Sequence, residues 1–251
     1  MALNSHYSSH LPAPMYIYDT PSTNIKLCTL DQQKSLMESS YYGINGGWFN
    51  LGEPGEIGRG LLNVTYCDGA PVGSASYGTP PRDGTAQTVG DAVIFCYGYN
   101  ARLSEEEVDI DDGTSALDIT GITHVSSWAQ GGIALSLGKQ NWSNRKNVSP
   151  NQVANGWSAM VADCTTSTVH LIAVRDPSNK KTITQQNIRD AITEYFGITE
   201  GSTVNSRYKG ILLDGGDSTQ MRFRNRYGND TKLFGAYRAL CGIITLRNLD
   251  R

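Results

Sequence analysis

Ile188, Ala191, Ile192, Tyr195 and Phe196 recur at helical intervals, and this stretch stands nearly alone in a chain otherwise written as short apolar runs cut by glycine. Thr182, Ile183, Thr184 and Gln185 have capping-box spacing ahead of it, and Gly197 sits where a C-terminal cap belongs. A shorter helix is expected near residues 30–38. The rest reads as strands. Asp68-Gly69 is a hairpin-type turn between two of them, and residues 92–100 form a buried strand by their continuous apolar run. Another strand is entered through Gly131-Gly132. Residues 158–174 make two strands around a Cys164-Thr165-Thr166-Ser167 turn, and two more apolar strands run into Asp214 and through residues 237–246.

Only 18% of the 251 residues are charged, below the roughly 25% usual for globular domains, and 27 are glycine. That composition favours β-structure with many turns. The expected class is therefore α+β, a mixed or antiparallel β-sheet core with few helices in a single domain, and not the regular alternation of a doubly wound sheet. Residues 1–40 are expected to be a lead-in packing on a domain of residues 41–251. The first 24 of them are extended around Pro12, Pro14 and Pro21, and residues 78–90 read as a loop.

A formal net charge of -3 gives no electrostatic footprint for duplex nucleic acid. No run approaches the roughly 18 apolar residues of a membrane span. The opening residues have neither a basic nor an apolar signal region, and Cys28, Cys67, Cys96, Cys164 and Cys241 are odd in number with no close pair. The expectation is a cytoplasmic protein with reduced thiols, no membrane partner, no metal and no cofactor; an oligomer stays open. Asp109, Asp111, Asp112 and Gly113 lack the glutamate that would complete a calcium loop and read as a solvated acidic turn. His6, His10, His124 and His170 have no metal-ligand spacing, and His170 reads as structural within its strand.

Three segments can carry chemistry. At Asp214-Gly215-Gly216-Asp217-Ser218-Thr219 a strand breaks into a turn whose successive N–H groups can cradle an anion beside a carboxylate, with two hydroxyls added. Asp and Gly also dominate ordinary turns. At Asn45-Gly46-Gly47-Trp48, Asn45 can hydrogen-bond a sugar ring and Trp48 can offer a stacking face; a tight bend with core aromatics reads equally well. Arg222, Arg224 and Arg226 share one strand face and either clamp phosphate or form the solvated side of a hairpin. Serine-hydrolase, Walker and dinucleotide-binding motifs do not occur.

Taken in order, these segments resemble the phosphodiester glycosidase family. The resemblance rests on Asn45-Gly46-Gly47-Trp48-Phe49, on Gly131-Gly132-Ile133, on Leu213-Asp214-Gly215-Gly216-Asp217-Ser218-Thr219, on the helix before that signature, and on Arg238, expected to open the final strand. It spans roughly residues 41–247. Two departures stand out. Asp217 replaces the third glycine of the signature, and Trp157-Ser158-Ala159-Met160-Val161 lacks the arginine usual there, so Arg59, Arg175 or the 222–226 arginines must substitute or the substrate differs.

The resemblance implies cleavage of the bond between a sugar anomeric carbon and a phosphodiester oxygen. Asp214 would be the catalytic carboxylate, with Asp217 or Glu56 as a second. Gly215, Gly216, Ser218, Thr219 and Arg238 would hold the phosphate, and Asn45, Gly46, Gly47, Trp48, Gly131 and Gly132 would line the sugar's side. The expected ligand is a small phosphorylated sugar or nucleotide-sugar. The rival reading is a hydrolase or non-catalytic binder of a nucleotide-derived glycosyl-phosphate signal, such as a phage-encoded sponge.

Overall fold

The computed structural model describes residues 2–51, 60–73, 89–96, 103–107, 127–145, 148–224, 230–234 and 238–249. In chain order its strands are β1 (Ala2–His6), β2 (Met15–Pro21), β3 (Ile25–Thr29), β4 (Gly43–Asn45), β5 (Phe49–Asn50) and β6 (Gly60–Leu61). Then come β7 (Thr65–Cys67), β8 (Ala70–Pro71), β9 (Ala92–Cys96), β10 (Leu103–Glu107) and β11 (Trp128–Ala134). After β12 (Val153–Ala154), β13 (Gly156–Asp163), β14 (Thr168–Arg175) and β15 (Ile183–Thr184) follows the helix α1 (Gln185–Tyr195). The chain continues through β16 (Tyr208–Leu212), β17 (Met221–Arg224), β18 (Asp230–Phe234) and β19 (Gly242–Leu246).

The larger sheet runs β1-β2-β14-β13-β16-β11-β7-β8, with β9 also on β11 and β10 on β9; the smaller runs β18-β17-β4-β19-β3. Neighbouring strands in both are antiparallel. With one α-helix among the described residues, this is the few-helix α+β class expected. No helix among them is long and apolar enough to cross a membrane.

The larger sheet is covered on both faces, which is why β13 and β14 read as unbroken apolar runs. Their side chains alternate. Met160, Ala162, Leu171 and Ala173 pack toward the smaller sheet with Ile44, Phe223 and Ile244. Ala159, Val161, Ile172 and Val174 pack toward α1 with Ile188, Ala191 and Ile192. Tyr18 stacks on Phe223 across the sheet interface, ring centres 3.9 Å apart. The antiparallel pairing thus leaves the C-terminal end of β16, a strand between β13 and β11, at the rim of two packed layers.

Several sequence expectations shift. Residues 2–29, read as a lead-in, supply β1, β2 and β3, and β2 pairs with β14 from Pro21↔Thr168 to Tyr16↔Ala173. The helix expected near residues 30–38 is a series of turns, because Asp31 and Gln32 take left-handed φ of 52° and 55° and the Leu36 N–H goes to the Gln220 side chain instead. The cap of α1 is Thr184, two residues after the expected one: its hydroxyl accepts from the Asn187 N–H and Asn187 Oδ1 accepts from the Thr184 N–H. Thr182 is drawn away by Asp176, to which it donates at 3.0 Å. Gly197, at φ 61°, ends the helix as expected.

Gly131 and Gly132 lie inside β11, not at its entrance. A Cβ on Gly132 would stand 2.4 Å from the Leu212 carbonyl oxygen, so the close approach of β16 requires glycine. The Asp68-Gly69 turn joins β7 and β8 with φ of 54° and 83°, the left-handed pair a two-residue hairpin needs. Most of the 78–90 loop and the Asp109–Gly113 acidic turn lie outside the described residues.

Candidate active site

β16 delivers Asp214. Ile211, Leu212 and Leu213 have no exposed surface, and the Leu213 N–H donates to the Ser158 carbonyl at 2.8 Å. Asn45 Nδ2 donates to the Asp214 carbonyl at 2.9 Å, which fixes the backbone where it leaves the core. A Cβ on Gly215 would lie 2.5 Å from the Trp157 ring, and Gly216 has φ 65°, so the signature's two glycines answer to a ring and to a left-handed turn. Gly216–Ser218 then forms a short 3-10 turn.

The amides of this turn are only partly free. Gly215 N–H donates to Asp214 Oδ1 at 2.9 Å, and the Ser218 and Thr219 N–H groups return to the Gly215 and Gly216 carbonyls. The amides not spent within the turn are those of Gly216 and Asp217. The expectation that the Gly215 amide faces a phosphate is corrected: it stabilises the acid beside it.

Asp214 keeps part of its surface exposed while protein atoms ring its carboxyl. Desolvation pushes its pKa up to about 6, opposed by Ser218, by the positive charge of Arg238 and by the Gly215 amide. Ser218 Oγ is nevertheless buried without a hydrogen bond of regular geometry, as are Thr219 Oγ1 and Asn155 Oδ1. Thr219 Oγ1 and Asn155 Oδ1, on one turn and the segment beside it, are left without a partner, which is unusual, since buried polar groups are nearly always paired. Arg238 lies in the connection before β19, four residues ahead of the strand it was expected to open; its carbonyl accepts from Gln220 Nε2 at 2.8 Å, and its guanidinium lies 5.6 Å from the centre of the Phe49 ring.

Asp217 is exposed and held below the usual carboxylate range by the Asn155 amide, Arg175, Arg238 and Lys181. Arg175, named from sequence only as a substitute phosphate ligand, is instead buried under the turn. It donates to the Gly216 and Thr219 carbonyls at 3.3 and 3.4 Å and to Asn179 Oδ1 at 2.8 Å, with Asp217 at 3.5 Å. Sequence reasoning missed Asn155 and Asn179. The departure it did flag, an aspartate in place of the third glycine, is what the asparagine amide binds.

The other expected site residues divide. Asn45 is 1% exposed and its side chain is consumed internally: Nδ2 goes to the Asp214 and Gly46 carbonyls, and Oδ1 accepts from Ser158 Oγ and the Gln220 N–H. It positions Asp214 and has no group left for a sugar. Gly46 pairs with Gly242, and Gly47 makes room for the Asn63 side chain, which a Cβ would meet at 2.4 Å. Trp48 is half-buried against the core on the α1 side of the larger sheet. Gly131 and Gly132 lie in β11, where Gly132 packs against Leu212 and Ile211 of the adjacent β16 and the Gly131 N–H donates to the Val64 carbonyl.

Arg222 and Arg224 are engaged by Tyr42 and Asp230, which corrects the phosphate-clamp reading for both. His170 pairs with Asp19 at 2.7 Å, a structural contact as expected. Glu56, Arg59 and Arg226 lie outside the described residues.

No family model and no curated protein matches the sequence. Solved structures do. The catalytic domain of zebrafish N-acetylglucosamine-1-phosphodiester alpha-N-acetylglucosaminidase, auto-inhibited by its pro-peptide, superposes with a TM-score of 0.50 at 13% identity, covering 97% of this chain and 81% of that one. A hypothetical protein from Synechocystis (TM-score 0.46, 14% identity, covering 97% and 61%) and a protein named as exported from Burkholderia pseudomallei (0.49, 10%, covering 94% and 74%) are similar too. The fold is shared.

Proposed function

We propose that this protein hydrolyses sugar-1-phosphodiesters at the bond between the anomeric carbon and the phosphate oxygen, with Asp214 as the catalytic carboxylate. The observation that carries the reading is the desolvated acid at the end of β16, raised to about 6 and flanked by Arg238 and the Ser218 hydroxyl. Raised acids in partly open turns are characteristic of chemistry, since structural carboxylates are normally paired and lowered. The shared fold with a phosphodiester glycosidase supports it.

The chemistry needs little acid assistance. A phosphate monoester leaves readily, so the site must stabilise an oxocarbenium-like centre and deliver an oxygen to it. Near neutral pH Asp214 is mostly ionised and either deprotonates the attacking water or attacks the anomeric carbon, the resulting ester then being hydrolysed. In both cases the C1–O bond breaks, its electron pair leaves with the phosphate, and water supplies the new sugar hydroxyl. Arg238 and the Gly216 and Asp217 amides neutralise the leaving group, each well-placed donor contributing about 3–4 kcal/mol; the Ser218 and Thr219 hydroxyls, expected from sequence to join them, are buried beneath the turn and do not reach it. Asp217, ionised and exposed, is a poor general acid and is not needed as one.

The pH profile tests this. With N-acetylglucosamine 1-(methyl phosphate), kcat/KM is expected to fall tenfold per pH unit on the acid side of about pH 6, as Asp214 becomes protonated. An acid limb near pH 4, or none, would assign the activity to another group.

A further inference from the structure

Arg238 differs from every other arginine among the described residues. Each of the others is ion-paired to a carboxylate, as Arg189 is to Glu200 and Arg207 to Asp163. Arg238 has no such partner among them, although both Asp214 and Asp217 feel its charge. It is half-buried, and its guanidinium lies over the ring of Phe49, 5.6 Å from the ring centre, within reach of a cation–π contact. Arg189, Arg207, Arg222 and Arg224 lie over rings too, but each of these is committed to a carboxylate as well.

The difference decides what the cation can bind. A carboxylate partner occupies N–H donors and cancels the charge. An aromatic face does neither, because it attracts the guanidinium through its π-cloud and takes up no N–H group. An arginine held in this way remains an open fork for an oxyanion. Its backbone is tied to the segments that fix the acid. The Arg238 carbonyl accepts from Gln220 Nε2 at 2.8 Å, the Gln220 N–H donates to Asn45 Oδ1 at 3.2 Å, and Asn45 Nδ2 donates to the Asp214 carbonyl at 2.9 Å. Phe49 follows Asn45 in the same segment. In β5 it pairs with Leu61, and its ring packs against the cluster of Leu30, Leu36, Leu240 and Ile243.

We infer that Phe49 is a positioning residue of the active site: its ring carries the Arg238 guanidinium beside Asp214 and leaves the N–H donors open for the substrate's phosphate. The inference rests on the sugar-phosphodiester reading above and adds the device that keeps the phosphate's cation uncommitted. One short segment then sets both charges, since Asn45 places the acid and Phe49 places the cation.

The test compares Phe49→Leu, Phe49→Tyr and Arg238→Met in the full chain. One readout is the titration of the Asp214 carboxyl carbon by NMR, and the other is kcat/KM for N-acetylglucosamine 1-(methyl phosphate). The charge of Arg238 opposes the rise in the Asp214 pKa, so Arg238→Met should move that titration up by at least about half a pH unit. Phe49→Leu should reproduce most of the shift and lower kcat/KM by about tenfold or more. Phe49→Tyr keeps the ring and should leave the titration in place, with kcat/KM within about threefold of wild type. A Phe49→Leu titration that matches wild type while Arg238→Met shifts it overturns the inference, and so does a Phe49→Tyr chain that behaves like Phe49→Leu. An Arg238→Met titration that does not move overturns it too. Titrations that shift as expected in a protein that cleaves no diester uphold the placement by Phe49 and sink the glycosidase reading. In the wild-type chain the ring current of Phe49 should displace the Arg238 side-chain proton resonances, and undisplaced resonances overturn the inference even where a variant fails to fold.

Discussion

Asp214→Asn is expected to abolish turnover of a sugar-1-phosphodiester and, at the same time, to make the protein more stable above pH 6. The two effects share one cause. The unfolded chain ionises Asp214 near its ordinary 3.8, whereas the folded chain does so at about 6. Between those values the folded state holds the extra proton, so stability falls as pH rises and the full penalty is present above about 6. A carboxyl that ionises on the order of a hundredfold less readily once folded carries a penalty of about 3 kcal/mol. The asparagine needs no ionisation and still accepts from the Gly215 N–H, so the gain should appear at pH 8 and vanish below pH 4. Denaturant unfolding at the two pH values, beside the kinetic assay, checks both halves. A variant that is inactive because it is destabilised at pH 8 would make Asp214 a structural residue.

Arg175→Leu should have a comparably large effect in the opposite sense. The guanidinium ties the Gly216 and Thr219 carbonyls from below and fixes Asn179, and no other cation among its described partners can take over. Leaving those buried acceptors unpaired should cost about 2–4 kcal/mol. Because the turn carries the catalytic geometry, kcat is expected to fall at least about a hundredfold in the fraction that remains folded, with a smaller change in KM. Stability from urea unfolding and kinetics below the transition separate the two. A substantial rise in KM with kcat intact would instead make Arg175 a direct phosphate ligand.

What the sequence disclosed was local. The β13–β14 hairpin, α1 with Gly197 at its end, and the break at Asp214 all come from signals confined to a dozen or so residues: apolar runs, turn residues and a helical period. What it could not disclose were pairings between distant residues. Arg175 and Gly216 are 41 positions apart and Asn155 and Asp217 are 62 apart, and nothing in either segment names its partner. Asn45 misled for the same reason. Beside a Gly-Gly pair an amide suggests a ligand, but folding brings Ser158, Gln220 and Asp214 around it and uses both ends. The Gly131-Gly132 pair reads as a strand entrance because glycine weakens strands, yet at Gly132 β16 passes so close that only glycine fits. With Thr182 and Thr184 two residues apart, the choice of cap was settled by Asp176, which takes the first hydroxyl.

Which bond the buried strand end attacks is read most directly from an isotope. Turnover of N-acetylglucosamine 1-(methyl phosphate) in oxygen-18 water, followed by mass spectrometry of both products, should place the heavy oxygen on the anomeric hydroxyl of the sugar and none in methyl phosphate. Label in the phosphate product would mean attack at phosphorus, and the Asp214 glycosidase account would be wrong.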